Sequence, residues 1–253
     1  MQSRGLLLAA GVGALMLFVI TNVPARLGVD LLRSAGVQAG SASGTLWRGE
    51  VASLRVAGLG LGRTRWVLHP LSLLTGRLSA DIDTELPGGF IRGRAEAGLG
   101  GRLALIETEA ASPLSNLAPL LGLPIAGGEA NASIQRLVVE DNWPTVAVAE
   151  LRVGNLPLAL PGMMPEPGAI GSFAAVFDLP ELAAGDPLVG ELRDLGGALE
   201  IDGNISLSPP NNYDIAGLLK PRDSAPPSLT QGLVLFGPED AQGRREFSLS
   251  GSF

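Results

Sequence analysis

His69 is the single imidazole in a chain of 253 residues without cysteine, so any side-chain chemistry has to start from it. It lies between Leu68 and Pro70. One histidine cannot build a multi-histidine metal centre, and as a general base it needs a carboxylate to orient its ring. Carboxylates do alternate nearby: Asp81, Asp83 and Glu85 in one run, Glu107 and Glu109 in another. Strand residues i and i+2 point the same way about 7 Å apart, so either run could hold a cation or act as an acid and base. The same spacing also describes a solvated strand face, which is the simpler account. A hydrolase on this chain would have to rest on His69 or Asp81.

Other signals for chemistry are weaker. Gly58-Leu59-Gly60-Leu61-Gly62 has the glycine density of a phosphate loop, but no Lys-Ser or Lys-Thr follows and no helix opens after it, so it reads as a bent strand. No Gly-x-Ser-x-Gly elbow occurs. Lack of cysteine removes disulfides and thiol catalysis together. Asn131-Ala132-Ser133 and Asn204-Ile205-Ser206 fit a glycosylation acceptor, which matters only in a eukaryotic secretory pathway. The expectation is a chain with no catalytic residue, no cofactor and no metal.

The elements that would position these residues read as strands. Leu78, Ala80, Ile82, Thr84 and Leu86 alternate with Ser79, Asp81, Asp83 and Glu85, and similar alternation runs over Leu199 to Leu207 and Glu246 to Phe253. That period of two is the mark of half-buried antiparallel strands. Looser versions occur at Glu50 to Val56, Arg63 to Leu68, Phe90 to Ala97, Arg102 to Thr108, Ala130 to Val139, Thr145 to Val153 and Ala169 to Leu179. The 35 glycines and 19 prolines cluster between these runs, as at Pro87-Gly88-Gly89 and Gly196-Gly197, which favours turns over low complexity. Short helices fit Pro70 to Thr75 and Ser112 to Leu121. So many strands must close, curl or cover their edges, and a curved antiparallel sheet or β-sandwich results.

Gly5 to Val23 is apolar almost throughout. Roughly 20 apolar residues at about 1.5 Å each span a bilayer core of about 30 Å. The run predicts one N-terminal transmembrane helix, with Pro24 and Arg26 ending it at an interface. A cleaved signal peptide, cut after Ala25, is the rival, although this run exceeds a usual signal core. Either way the remainder lies across a membrane. The expected organisation is an anchor over 1–25 and a β-rich body over 26–253, with a possible internal boundary near 157–168, where four prolines gather.

The net charge of −7 is unevenly placed: residues 26–110 carry ten bases against eight acids, and residues 111–253 carry seven against seventeen. Such a balance excludes nucleic acid, whose phosphates need clustered cations. About 228 residues after Ala25 suffice for a genuine core without disulfide staples. Trp47 and Trp66 sit among strand residues, where an indole packs on the sheet and its N–H finds a backbone acceptor. Gly44 and Gly49 bracket Trp47 as turn or close-approach positions.

Ser43-Gly44-Thr45-Leu46-Trp47-Arg48-Gly49 resembles the signature of the type II secretion system protein N family. Further islands follow in order: Trp66, Pro70, Leu73, Leu74 and Gly76; then Tyr213, Gly217, Leu218, Pro221 and Arg222; then Gly237, Asp240, Gly243, Arg244, Phe247 and Gly251. Between about 110 and 190 only the strand texture agrees. The resemblance implies a non-enzymatic, single-pass accessory or assembly component of the bacterial inner membrane, with its body in the periplasm. It implies subunits of the inner-membrane secretion platform as partners, in the export of folded proteins across the outer membrane. It also suggests kinship with β-groove proteins that handle lipid. A lipid-binding groove lined by the alternating Leu, Val and Ile face is therefore the alternative.

Overall fold

The computed structural model describes residues 22–34, 37–56, 59–121, 127–157 and 169–252. The chain opens with α1 (Ala25–Ser34), followed by five short strands: β1 (Gln38–Ala39), β2 (Ala42–Gly44), β3 (Arg48–Val51), β4 (Leu54–Val56) and β5 (Leu59–Leu61). After β6 (Thr64–Leu68) and a 3-10 helix at Pro70–Thr75, the strands lengthen: β7 (Arg77–Leu86), β8 (Gly89–Gly98) and β9 (Leu103–Pro113). Helix α2 (Leu114–Leu121) leads to β10 (Glu129–Glu140), β11 (Trp143–Pro157), β12 (Ala169–Leu179), β13 (Leu188–Gly197), β14 (Leu199–Ser208) and β15 (Asn212–Pro221). Helix α3 (Pro227–Leu233) and a 3-10 turn at Val234–Phe236 precede the last strand, β16 (Arg245–Ser252).

From β7 to β16 every strand is hydrogen-bonded to its predecessor, and β3 and β2 extend the row beyond β6 into a sheet of 13 strands. Strands β1, β4 and β5 form a separate three-stranded sheet. The meander follows from its turns. Leu86 faces Gly89 across Pro87-Gly88, where Gly88 supplies the positive φ of 73° that a second turn residue after proline needs. Asp141 and Asn142, both with positive φ, close β10 onto β11, as a two-residue hairpin of the right twist demands.

The cross-strand register sorts side chains by face. Leu68, Ala80, Ala95, Leu105, Leu137, Ala147 and Leu179 stand opposite one another in one apolar row across seven strands. Buried side chains concentrate at two places. Phe173, Leu199 and Leu219 pack with Leu229 and Leu233 of α3, and Ala147, Phe177 and Leu188 pack together with Leu137 and Trp143 around them. At the first of these, Gly171 and Gly197 approach so closely that a Cβ on Gly197 would stand 2.3 Å from the Gly171 Cα, and β12 comes near β14 across β13. Burial of these apolar groups is the main stabilising force at the two clusters, at about 25 cal/mol per Å² removed from water.

Several expectations are corrected. Among the described residues no helix is long and apolar enough to cross a membrane, so the described fold is antiparallel sheet with short helices, without a transmembrane helix. Of the run Gly5 to Val23, on which that expectation falls, residues 5–21 lie outside the described residues. Among the described residues the other sheet has only three strands against 13, so the sandwich alternative gives way to one long meander. The run Glu50 to Val56 is not one strand: β3 and β4 belong to different sheets, broken where the Ala52 N–H turns to the Ser41 carbonyl. Ser112 and Pro113 belong to the end of β9, and the helix expected from Ser112 starts at Leu114. Strands β13 and β15 and helices α1 and α3 add to the expected set. The proposed boundary at 157–168 falls mostly outside the described residues; the flanking strands β11 and β12 are hydrogen-bonded neighbours.

Candidate functional site

The face opposite the apolar row carries a ladder of alternating charge. Glu50, Arg65, Asp83, Arg92 and Glu109 are successive cross-strand partners on β3, β6, β7, β8 and β9. Arg65 Nε lies 3.1 Å from Glu50, and Arg92 Nε lies 3.3 Å from Asp83. Next to this row, Asp81 accepts from Arg94 Nε at 2.9 Å and meets His69 Nε2 at 2.8 Å. The ladder borders an open groove of about 460 Å³ lined by residues including Arg65, Trp66, Asp81, Arg94 and Glu107.

Each carboxylate of the Asp81, Asp83 and Glu85 run thus faces an arginine, Arg94, Arg92 and Arg65 respectively, and Asp81 also meets the His69 ring. Partial burial pushes the Asp81 carboxyl up, but hydrogen bonds and charge from Arg94 and His69 outweigh it and hold the group below its ordinary value. The arrangement can fix strand register and present a patterned polar surface. It gives His69 an orienting carboxylate, yet Arg94 occupies the other oxygen of that carboxylate. Such half-exposed pairs contribute little stability one by one. A second group lies farther along, where Glu150 accepts from Arg152 at 3.0 and 2.9 Å and from Arg193 at 3.5 Å. The Arg152 hydrogen bond is the main cause that keeps its carboxyl low.

The residues that carry the sequence resemblance gather at the two flanks of the sheet. On one flank, Gly44, at φ 87°, and Thr45 build the β2–β3 hairpin: Thr45 N–H donates to the Arg48 carbonyl, and Arg48 N–H donates to Thr45 Oγ1. Trp66 donates its indole N–H to the Leu46 carbonyl at 2.8 Å. Its ring lies against Gly49, where a Cβ would come 2.3 Å from Cζ2. Trp47 is half-buried, and its carbonyl accepts the Leu68 N–H at 2.7 Å. Pro70 opens the 3-10 helix behind His69.

On the other flank, Tyr213 packs over Gly251 as Trp66 does over Gly49, and Gly217 meets Gly203 at backbone contact. Pro221 ends β15 opposite Leu199, and Arg222 pairs with Asp194, whose carboxylate also accepts the Gly196 N–H. Gly237 and Gly243 take positive φ in the approach to β16. Arg244 donates to Asp240 at 2.9 Å through Nε and at 2.8 Å through its backbone N–H, and the Arg245 guanidinium donates to the Gly237 carbonyl. Sequence reasoning did not single out Asp194, Arg94 or Glu150; their partners are brought in by strand pairing, and no local spacing signals them.

Fold and flanks together define a long antiparallel meander whose motif residues brace its two edges. A family model for protein N of the type II secretion system matches residues 35–248, including the middle region where the motif islands are silent. The type II secretion system protein N of Vibrio cholerae serotype O1 is 28% identical over 248 residues, covering 94% of each chain. That of Aeromonas hydrophila is 28% identical over 265 residues, covering 96% of each, and that of Klebsiella pneumoniae 26% over 257 residues, covering 95% of this chain and 91% of its own. No solved structure matches. The chain belongs to the type II secretion system protein N family, a family of non-catalytic accessory components.

Proposed function

We propose that this protein is an assembly component of the inner-membrane part of the type II secretion machinery, tethered through residues 1–25 with residues 26–253 in the periplasm. Family membership supports the assignment to that machinery. The observation that carries the assembly role is the edge strand β16. It runs for eight residues, pairs with β15 on one side, and has no strand on its other side among the described residues. An eight-residue edge is a template for strand addition, and natural proteins cover or blunt such edges unless something pairs with them. The other edge, β2, is three residues long and lies against α1. The tether is the apolar run Gly5 to Val23, and the inner-membrane platform subunits are the partners.

Photo-crosslinking tests the proposal. A crosslinker at Ser250, exposed on β16, should capture inner-membrane subunits of the machinery, whereas one at Arg152 on the central strand β11 should not. A chain that stays monomeric at every β16 position would refute the edge as a docking strand.

A second reading has its own support. Much of the apolar row is only half-buried: Leu68, Ala80, Ala95, Leu105 and Leu137 all keep part of their surface exposed among the described residues. An acyl chain lying along this row would cover it. Mass spectrometry of gently extracted protein decides: co-purifying phospholipid supports the groove, and lipid-free protein removes it.

A further inference from the structure

Four exposed leucines cluster at one end of the sheet. Leu71 and Leu74 of the 3-10 helix are 76% and 84% exposed, Leu99 in the β8–β9 turn 87%, and Leu103 at the start of β9 56%. These positions are neighbours. The 3-10 helix ends at Gly76, where a Cβ would touch the Leu99 side chain at 3.3 Å, and Ala97 of β8 stands opposite both Leu78 of β7 and Leu103 of β9.

The N-terminal apolar run leaves the body at this same end. The Val23 carbonyl accepts the Leu46 N–H at 2.7 Å, Pro24 bridges to Thr45, and the Leu46 carbonyl holds the Trp66 indole three residues before His69, which precedes the 3-10 helix. Arginines accompany the leucines: Arg26 in α1, Arg77 at the start of β7 and Arg102 beside Leu103. Arg77 and Arg102 reach Glu96 and Glu140 at 4.0 and 3.4 Å while remaining about half-exposed or more. A short 3-10 helix and a glycine-rich turn that expose leucines to solvent are costly in water, and apolar tips flanked by arginine are the composition of an interfacial membrane contact.

We propose that this end of the sheet rests on an anionic phospholipid bilayer, with Leu71, Leu74, Leu99 and Leu103 at the headgroup boundary. The proposal rests on residues 1–25 being a membrane tether. It sets the direction of the body. A ten-residue strand is about 33 Å long, so β7 and β8 stand up from the membrane and carry the opposite end away from it. That opposite end has its own exposed apolar residues, Val234 and Leu235, beyond α3. These are placed to meet something other than the lipid that holds the tether.

Because the chain has no cysteine, single-cysteine variants report single positions. The full chain is reconstituted in vesicles of phosphatidylethanolamine and phosphatidylglycerol and labelled with an environment-sensitive nitrobenzoxadiazole at Leu74→Cys, Leu99→Cys, Leu235→Cys or Leu15→Cys. The expected result is bright, blue-shifted emission quenched by nitroxide-bearing lipid at 15, 74 and 99, and water-like emission at 235. Lipid contact at 15 with water-like emission at 74 and 99 overturns the docked end and leaves the tether standing. Water-like emission at 15 overturns both.

Discussion

Trp66 fills the space that a side chain at Gly49 would need, and the indole N–H is tied at 2.8 Å to the carbonyl of Leu46, three residues before that glycine. Gly49 and Trp66 are direct cross-strand partners on β3 and β6. One contact therefore fixes the register of the strand pair and the entry of the hairpin that leads back to the N-terminal run. Tyr213 over Gly251 repeats the device at the other flank, on β15 and β16. Both glycines are required for close approach, since any Cβ would meet the ring.

Gly49→Ala should overpack this contact and destabilise the protein by about 1–3 kcal/mol. Urea unfolding followed by tryptophan fluorescence measures it. An unchanged midpoint would show that the ring can move aside and does not fix the pair.

Arg222→Ala should leave the Asp194 carboxylate, 14% exposed, without its cation and cost about 2 kcal/mol. The Arg222 backbone N–H is held by the Ala198 carbonyl, and the segment after it leads into α3, whose Leu229 and Leu233 close one core cluster. Proteolysis between Arg222 and Pro227 should accelerate. A double-mutant cycle with Asp194→Asn should reveal coupling between the two sites; additive effects would mean that the pair is incidental.

Acid should loosen the strand ladder at Asp81. Its carboxyl is held below its ordinary value of 3.8 in the folded protein, so the stability it adds is fully present above that pH and is lost as pH falls through the lowered folded value. The group is 46% exposed, so the effect is small. Asp81→Asn should flatten that part of the acid limb in urea midpoints measured across the acid range. An identical limb in the variant would place the acid sensitivity elsewhere.

The Asp141-Asn142 turn should respond to backbone preference alone. Asn142 sits at φ 62°, so Asn142→Gly should be neutral or stabilising, and Asn142→Val should cost about 1–2 kcal/mol. Thermal melting of the two variants checks the order. A valine variant as stable as the parent would contradict the left-handed turn.

Where one face of a strand is charged, the sequence shows the strand plainly: Ser79, Asp81, Asp83 and Glu85 make β7 readable at a glance. Strand β13 is harder to see, since Leu188, Leu192 and Leu195 stand among Glu191, Arg193 and Asp194 with apolar residues on both faces, and Val189 and Leu195 are exposed. Helix α3 begins at Pro227 after Pro226 with no side-chain cap, so no start signal other than proline announces it. The alternating ladder was legible only in halves. Asp81, Asp83 and Glu85 are local, whereas Arg92 and Arg94 reach them through a register that the Pro87-Gly88 turn sets. The split of Glu50 to Val56 between two sheets has no local mark at all, because it is made by the pairing of Ser41 and Gly40 with Ala52 and Ser53. The motif glycines and aromatics were visible as a pattern, but their meeting across strands is a property of the folded sheet.

A periplasmic body held at the inner membrane is tested most directly by a membrane-impermeant maleimide applied to intact spheroplasts carrying Leu235→Cys. The account predicts that the exposed thiol reacts before lysis and that the labelled chain sediments with the inner membrane. A thiol protected until the spheroplasts are broken, or a labelled chain released into the wash, would contradict it.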